Sequence, residues 1–195
     1  MRHDLALSGH GVRLVPLADE HAAALAAFTD DELWRGMSQP TPRGAAGMLE
    51  VVAAAHAAPG RSAFAVLEPD GTVVGSTSFY EWVPSQLRVE IGFTFTDRRV
   101  WGTHVNPACK HLLMQHAFEV WGAQRVALRA DARNTRSIGA ILRLGATAEG
   151  VLRSHRVAPD GSRGDTAYFS VLADEWPRVR DGLLARLGAA PGAAG

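Results

Sequence analysis

The amino-acid sequence predicts an α+β protein with one mixed sheet flanked by helices. The spacing of apolar residues changes from every second residue in 87–95 to helical spacing in 105–121. Two Pro-Asp-Gly turns, at 69–71 and 159–161, each separate two strand-like segments. Strands that first pair in hairpins and then alternate with helices are typical of this fold class.

Capping residues, alanine-rich runs and a Pro-Gly pair divide the N-terminal half into elements. The run E-H-A-A-A-L-A-A-F has strong helix propensity, and Pro59-Gly60 is expected to end a later helix. The predicted elements are a strand at 11–17, a helix from Asp19 to Phe28, a short helical turn at 31–36, a helix from Thr41 or Pro42 to about Ala58, and paired strands at 62–68 and 72–80.

The middle of the chain is predicted to contain a strand followed by a long helix. Gly122 is expected to end that helix, since glycine is common just past a helix end. The strand at 87–95 is expected to place Val89, Ile91, Phe93 and Phe95 on one face and Arg88, Glu90 and Thr94 on the other. The helix at 105–121 is expected to bury its apolar stripe and to expose Lys110, Gln115 and Glu119.

The last third is predicted to add a strand, a helix, a hairpin and a final helix. Residues 124–131 form the strand, with Val126, Leu128 and Ala130 pointing inward, and a helix follows from about Asn134. Strands at 150–157 and 163–172 form the hairpin, and Asp174 is expected to cap a helix through about residue 187. We therefore expect one domain over 1–188, with a disordered tail at 189–195.

Composition argues against several functional classes. Lys and Arg together number 20 and Asp and Glu number 20, so zero formal charge gives no overall attraction to nucleic acid or membranes. Cys109 is the only cysteine; it lies on an apolar helix face and is expected to be a buried structural thiol rather than a reactive one. No apolar signal segment is visible, so a cytoplasmic protein is expected. The histidine spacings do not predict a metal site.

The loop between the 87–95 strand and the 105–121 helix is a candidate anion site. The first N–H groups of a helix have no intrahelical partner and carry the positive end of the helix dipole. Gly102 lets the backbone approach a ligand closely. These features predict binding of a phosphorylated molecule at this loop.

Several motifs follow one another along the chain in a fixed order. The longest is D-x-R-N-x-x-S-x-x-x-x-x-x-L-G-A-x-x-E-G-x-L-R from Asp131; others are G-V-R-L-V-P-L, V-G-S-T-S-F, E-I-G-F, G-T-H-V-N-P-A-C-K and D-G-S-R-G-D-T-A-Y-F-S-V-L-A-D-E-W-P. Their order and spacing resemble the GNAT N-acetyltransferases, and more narrowly the bacterial ribosomal-protein N-terminal acetyltransferases. The resemblance covers most of the chain. It implies a bent, mixed sheet in α/β/α layers, with acetyl-CoA held between two splayed parallel strands, 87–95 and 124–131.

The same resemblance implies a cofactor-binding set. In the family the phosphate loop usually runs Arg/Gln-x-x-Gly-x-Gly/Ala, whereas this chain has His104 at the last position. That histidine either crowds the pyrophosphate or bonds it. The implied cofactor-binding residues are Phe93, Thr94, Phe95, Arg99, Trp101, Gly102, Thr103, His104, Val105, Asn106, Asn134 and Ser137.

Acetyl transfer to an amine needs a proton acceptor and a group that stabilises the leaving thiolate. The resemblance implies Glu90 as the base; the alternative is a solvated or salt-bridged sheet carboxylate, paired with Arg88 or Arg129. Ser137 is the candidate acid, unless its hydroxyl bonds its own helix backbone. Asn134 is expected to bond the pantetheine arm, to cap its helix, or both.

The acceptor amine is less well defined by the sequence. Trp34, Tyr80, Arg153 and His155 are candidate acceptor-binding residues. The branch resemblance favours a protein N-terminal amine, while an amino sugar, antibiotic or polyamine stays open. Two other classes also stay open, a non-catalytic acyl-CoA-binding module and a structural interaction domain. A homodimer is possible, as dimers are frequent in the family.

Overall fold

The computed structural model of the protein describes residues 3–37, 39–157 and 161–188. Its strands are β1 (Leu7–Gly9), β2 (Val12–Pro16), β3 (Ser62–Leu67), β4 (Val73–Val83), β5 (Arg88–Thr96), β6 (Arg125–Asp131), β7 (Thr147–Val157) and β8 (Arg163–Leu172). Its helices are α1 (Ala22–Ala27), α2 (Asp31–Trp34), α3 (Gly44–Ala57), α4 (Val105–Gln115), α5 (Thr135–Arg143) and α6 (Trp176–Gly188).

The eight strands form one sheet in the order β1-β2-β3-β4-β5-β6-β8-β7. Among these described strands only β5 and β6 are parallel; every other neighbouring pair is antiparallel. The parallel pair is hydrogen-bonded only where Arg88–Glu90 faces Arg125–Ala127. Beyond Glu90 the two strands part, which confirms the predicted mixed sheet and the predicted splay.

Helices cover both faces of the sheet, as predicted for α/β/α layers. One core joins the sheet to α4 and α6 through residues such as Leu113 and Leu183. The other core lies under α1, α2 and α3 and contains Leu25, Trp34 and Met48. The apolar side chains of the strands therefore pack into one or the other of two separate cores.

A bulge in β5 overturns the predicted alternation of that strand. Ser76 faces Phe95 and Ser78 faces Gly92, so β5 carries one extra residue between those two pairs. Phe93 adopts a positive φ of 50° at this point. Because a bulge inverts the facing of all later side chains, Phe95 packs beside Trp34 in one core while Ile91 lies in the other. The prediction that Phe93 and Phe95 share the face of Ile91 is wrong.

Three smaller expectations are also corrected. The short strand β1 was not predicted, because three residues are too few to show alternation. Asp19 does not cap the first helix; Asp19–His21 form a 3-10 turn whose N-cap is Ala18, with the Ala18 N–H donating to His21 Nδ1 at 3.0 Å, and the N-cap of α1 is His21. The long helix is α-helical only to Gln115 and continues as a π-helical turn at His116–Val120.

Two predicted features lie outside the described residues. These are most of the 159–161 turn and the tail at 189–195. Within the described part of the chain, no helix is both long and apolar enough to cross a lipid bilayer.

Candidate active site

Two cavities meet where β5 and β6 part. The strand cleft, about 500 Å³, lies between β5, β6, the loop after β5 and α5. The arginine cavity, about 340 Å³, lies between β4, β5, β7 and the α1–α3 layer, and Arg61, Arg129 and Arg156 line it. Gly92 and Phe93 line both cavities. Both volumes are typical of small-molecule sites, so two ligands can meet at the bulge.

The N-terminal end of α4 closes one end of the strand cleft. Gly102 has a φ of 75°, and no atom lies within 4 Å of where a Cβ would stand. Thr103 Oγ1 donates to the Val100 carbonyl at 2.7 Å and accepts from the Val105 N–H, the first of α4, at 3.3 Å. Trp101, Gly102, Thr103 and Asn106 all line the cleft. The backbone therefore presents a helix N-terminus to any anionic group placed there.

Three residues predicted to bind the cofactor point away from the strand cleft. A Cβ on Gly11 would stand 3.0 Å from His104 Nε2, so the His104 ring packs against the β1–β2 turn. Arg99 forms ion pairs with Glu68 at 2.7 Å and Asp97 at 3.1 Å. Val105 is buried in the core that joins the sheet to α4 and α6. The side chain of His104 therefore neither crowds nor enters the cleft.

The start of α5 forms the opposite wall of the strand cleft. Asn134 is the N-cap, and its Oδ1 accepts the Ser137 N–H at 3.0 Å. Ser137 lines the cleft, and its hydroxyl has no hydrogen-bond partner among residues 3–37, 39–157 and 161–188. The predicted capping role of Asn134 is confirmed, and the Ser137 hydroxyl is not used by its own helix backbone.

Two features of the cleft were not predicted. The Arg136 guanidinium lies 3.6 Å from the centre of the Trp101 ring, so α5 and the loop after β5 contact each other across the cleft. Lys110 is buried rather than exposed, and its Nζ donates to Thr94 Oγ1 at 2.9 Å. Burial lowers the pKa of Lys110 to about 8. This places a partly desolvated cation in the cleft wall.

Glu90 is a buried carboxylate beside the bulge. The Tyr80 hydroxyl donates to Glu90 Oε2 at 2.6 Å, and Arg129 Nε lies 3.4 Å from the same oxygen. Burial is the main cause that raises the pKa of Glu90; the Glu81 carboxylate adds to the shift, and the Tyr80 hydrogen bond and the Arg129 charge oppose it. Glu90 is therefore not solvated, and its cation partner is Arg129 rather than Arg88.

Tyr80 connects Glu90 to the arginine cavity. Its ring lies in the wall of the arginine cavity and contacts the edge of Phe93, with ring centres 5.1 Å apart. Burial and the neighbouring Glu90 charge raise the pKa of the Tyr80 hydroxyl, so it stays protonated. A Cβ on Gly92 would stand 2.7 Å from Tyr80 Cε1. The ring can occupy this position only because residue 92 is glycine.

Two of the three other predicted acceptor residues line the arginine cavity and one does not. Trp34 and His155 line the arginine cavity, and His155 Nδ1 lies 3.1 Å from Thr166 Oγ1. Arg153 is exposed on β7 and does not line the cavity. Arg156, three residues further along β7, does line the cavity and is not among the predicted acceptor-binding residues.

Asp131 lies at the boundary of the two cavities, where Arg156 and Arg133 both pair with it. The Arg156 guanidinium lies 3.3 Å from Asp131 Oδ2 and donates to the Gly36 carbonyl at 2.9 Å. Hydrogen bonds from Arg133 are the main cause that lowers the pKa of Asp131. This carboxylate is therefore ionised and already neutralised by its neighbours.

The described residues hold no metal-binding group and show no reactive thiol. No cluster of three or more histidine, cysteine, aspartate or glutamate side chains is placed to hold a metal ion within that part of the chain. Cys109 is fully buried on α4, and burial raises the pKa of its thiol to about 12. The prediction of a buried structural cysteine is confirmed.

Comparison with known proteins identifies the fold. The profile of the family described as Acetyltransferase (GNAT) domain matches residues 12–147. A candidate acetyltransferase of solved structure from T. thermophilus is 37% identical, with a TM-score of 0.89 over 96% of this chain and 99% of that one. A GCN5-related N-acetyltransferase from Brucella melitensis is 28% identical, with a TM-score of 0.89 over 97% and 87%.

A more distant neighbour was solved with a cofactor-derived ligand. Mycobacterium smegmatis RimJ in complex with CoA-disulfide is 20% identical, with a TM-score of 0.76 over 93% of this chain and 92% of that one. At this identity the likeness concerns the fold alone. Among curated proteins none matched the chain.

Proposed function

This chain belongs to the GNAT acetyltransferase family, and we propose that it transfers an acetyl group from acetyl-CoA to a primary amine by direct attack in a ternary complex. The observation that carries the proposal is the meeting of two cavities at the Phe93 bulge, where β5 and β6 part. One cavity ends at a helix N-terminus suited to phosphate, and the other is walled by aromatic and cationic side chains. Such an arrangement brings a thioester and an amine together without a covalent enzyme intermediate.

The strand cleft fits acetyl-CoA on its own residues. We assign the pyrophosphate to Gly102, Thr103 and Asn106 at the start of α4, where the open space at Gly102 and the helix dipole favour it. Buried Lys110 adds a cation to the same wall. The pantetheine arm is assigned to the stretch Phe93 to Phe95 and to Asn134, whose Oδ1 caps α5 and whose Nδ2 has no hydrogen-bond partner among the described residues.

Glu90 is assigned as the base, acting through Tyr80. Glu90 does not line the arginine cavity, whereas Tyr80 does. The attacking amine gives its proton to the Tyr80 oxygen as the Tyr80 proton passes to Glu90 Oε2, 2.6 Å away. The hydroxyl is thereby restored and the carboxylate is protonated, so the proton count balances.

Substitution of Tyr80 by phenylalanine is expected to move the acidic limb of the kcat/KM profile to higher pH. The Tyr80 hydroxyl donates to the ionised form of Glu90, so its removal raises the pKa of Glu90 further. Turnover should also fall about tenfold or more, because the proton path is broken. An unchanged acidic limb, measured by thiol release across pH, would remove Tyr80 from this path.

Ser137 is assigned to the leaving thiolate. Its free hydroxyl in the strand cleft can donate one hydrogen bond to the sulfur. Ser137→Ala is expected to lower kcat about tenfold while acetyl-CoA affinity stays nearly unchanged. Loss of acetyl-CoA binding in calorimetry would instead place Ser137 in the cofactor-binding wall.

The acceptor we propose is an α-amine of the protein N-terminus type. One support is the motif resemblance to the ribosomal-protein acetyltransferases. The other is that the proposed base is buried, so an amine that loses its proton easily suits it best. An α-amine has a pKa near ~8, against ~10.4 for a lysine side chain, so more of it is neutral at physiological pH. Thiol release with peptides, and with lysine-blocked controls, tests this. Turnover only with amino sugars or polyamines would contradict it.

A further inference from the structure

Arg61 is a buried cation in the wall of the arginine cavity. It lies just before β3, and 9% of it is exposed. Its Nε donates to Ser78 Oγ at 3.0 Å, and its guanidinium stacks 3.8 Å from the centre of the Phe93 ring. Stacking and one hydrogen bond fix the side chain, while its terminal nitrogens have no hydrogen-bond partner among the described residues and can donate to a ligand in the cavity.

Arg61 differs from Arg129 and Arg156 because no carboxylate of the described part of the chain pairs with it. Arg129 has the Glu90 and Glu81 carboxylates at 3.4 and 3.5 Å, and Arg156 has Asp131 at 3.3 Å. Within residues 3–37, 39–157 and 161–188, no carboxylate lies within ion-pair distance of Arg61. Burial lowers the pKa of Arg61 only to about 10, so it stays charged at neutral pH. Among the three arginines that line the cavity, Arg61 is therefore the one without a carboxylate partner in the described part of the chain.

A buried charge without a partner is costly, and an anion in the cavity would offset that cost. We infer that the acceptor amine carries an anionic group, a carboxylate or a phosphate, that pairs with Arg61. This inference rests on the proposed function. Phe93 lies between Arg61 and Tyr80, with 3.8 Å to the guanidinium and 5.1 Å to the Tyr80 ring. One small molecule or peptide end can therefore place its anion at Arg61 and its amine near Tyr80.

The same charge selects against cationic acceptors. A polyamine or an aminoglycoside would bring further ammonium groups into a cavity that already holds unpaired Arg61. An amino acid with a free carboxylate, or a peptide with an acidic side chain close to its N-terminus, matches the cavity. Both offer the same chemistry, an amine and an anion a few bonds apart.

Matched acceptors that differ only in charge test the inference. Thiol release is measured with Ala-Glu-Ala-Ala amide against Ala-Gln-Ala-Ala amide, with free glutamate against glutamate diamide, and with spermidine. We expect kcat/KM to be about 10- to 100-fold higher for the anionic member of at least one pair, as for a hydrogen-bonded buried charge. The pair that shows the higher kcat/KM for its anionic member tells whether the anion is a peptide side chain or a carboxylate of a free amino acid.

Variants assign the preference to Arg61. Arg61→Gln should bring the ratio near one by lowering the anionic rate, and Arg61→Lys should restore part of it. Arg178→Gln, on the exposed surface of α6, removes the same charge outside both cavities and should leave the ratio unchanged. The substrate pairs, measured with the unaltered protein, test the preference for an anionic acceptor even if Arg61→Gln does not fold.

Binding separates this inference from the proposed function. Calorimetry with the CoA-loaded protein measures the affinity of the same amines without turnover. Selective binding of the anionic amine with no acetyl transfer would overturn the proposed function and leave the Arg61 assignment intact. Equal or weaker binding and turnover of the anionic member in every pair, or no binding and no turnover of any anionic amine, would overturn the assignment.

Discussion

Replacement of Glu90 by glutamine is expected to lower kcat about 100-fold or more, the usual contribution of a positioned general base. The loss should be largest at pH values above the raised pKa of Glu90 and below the pKa of the amine. In that range Glu90 is ionised and the amine is still protonated, so the base has a proton to remove. At higher pH the amine deprotonates unaided, and the two proteins should converge.

The measurement is the pH profile of kcat between about pH 6 and pH 9.5, the range that spans an α-amine and approaches a lysine amine. Glu50→Gln, on the exposed face of α3, removes a carboxylate that lines neither cavity and serves as the control. A constant ratio between Glu90→Gln and the unaltered protein at every pH would show that Glu90 is structural. An unchanged kcat would exclude it from the chemistry.

Gly92→Ala is expected to remove most of the activity through Tyr80. The added Cβ would stand 2.7 Å from Cε1 and 3.1 Å from the hydroxyl oxygen of the Tyr80 ring. Because that ring is buried against Phe93, it has to move, and the 2.6 Å hydrogen bond to Glu90 breaks with it. We expect kcat to fall at least tenfold, and the free energy of unfolding to fall by about 1–3 kcal/mol, as in overpacked cores.

Gly182→Ala is the matched control, since no atom lies within 4 Å of a Cβ at this position in α6. It should keep activity and leave stability equal or higher by about 0.5–1 kcal/mol, because alanine favours a helix. Circular dichroism and thermal unfolding follow the fold, and thiol release follows the activity. Full activity of Gly92→Ala would mean that the Tyr80 position is not needed for turnover.

The sequence predicts this fold well where local rules decide it. The strands that pair across short turns, the helix that begins at Asn134 and the glycine at the α4 loop all follow from turn chemistry and capping. The parallel, parting strands β5 and β6 follow from the family resemblance. These features depend on neighbours in sequence or on motifs, so one sequence is enough to place them.

Features that depend on distant contacts could not be predicted. The bulge at Phe93 has no marker in an apolar run that alternates on both sides of it, and it reverses the faces of Thr94 and Phe95. Lys110 lies at a helix position that looks polar, and its burial depends on Thr94 across the cleft. Arg61 follows Pro59-Gly60 and looks like a loop cation, yet it is buried against Phe93 and Ser78.

The histidine at position 104 shows the same limit. His104 replaces a small residue of the family loop, which predicts a histidine that either crowds the pyrophosphate or bonds it. The direction of its side chain is set by packing against Gly11 of the β1–β2 turn, more than ninety residues away in sequence. Motif spacing carries no information about that contact.

The most direct test of the account is a calorimetric titration of acetyl-CoA, with free CoA as the second ligand. We expect one site per chain and a dissociation constant on the order of 1–100 μM, comparable with usual working substrate levels. CoA should bind with similar affinity, because most contacts are assigned to the pyrophosphate and the pantetheine arm. Absence of binding of both ligands would contradict the assignment of the strand cleft and, with it, the proposed acetyl transfer.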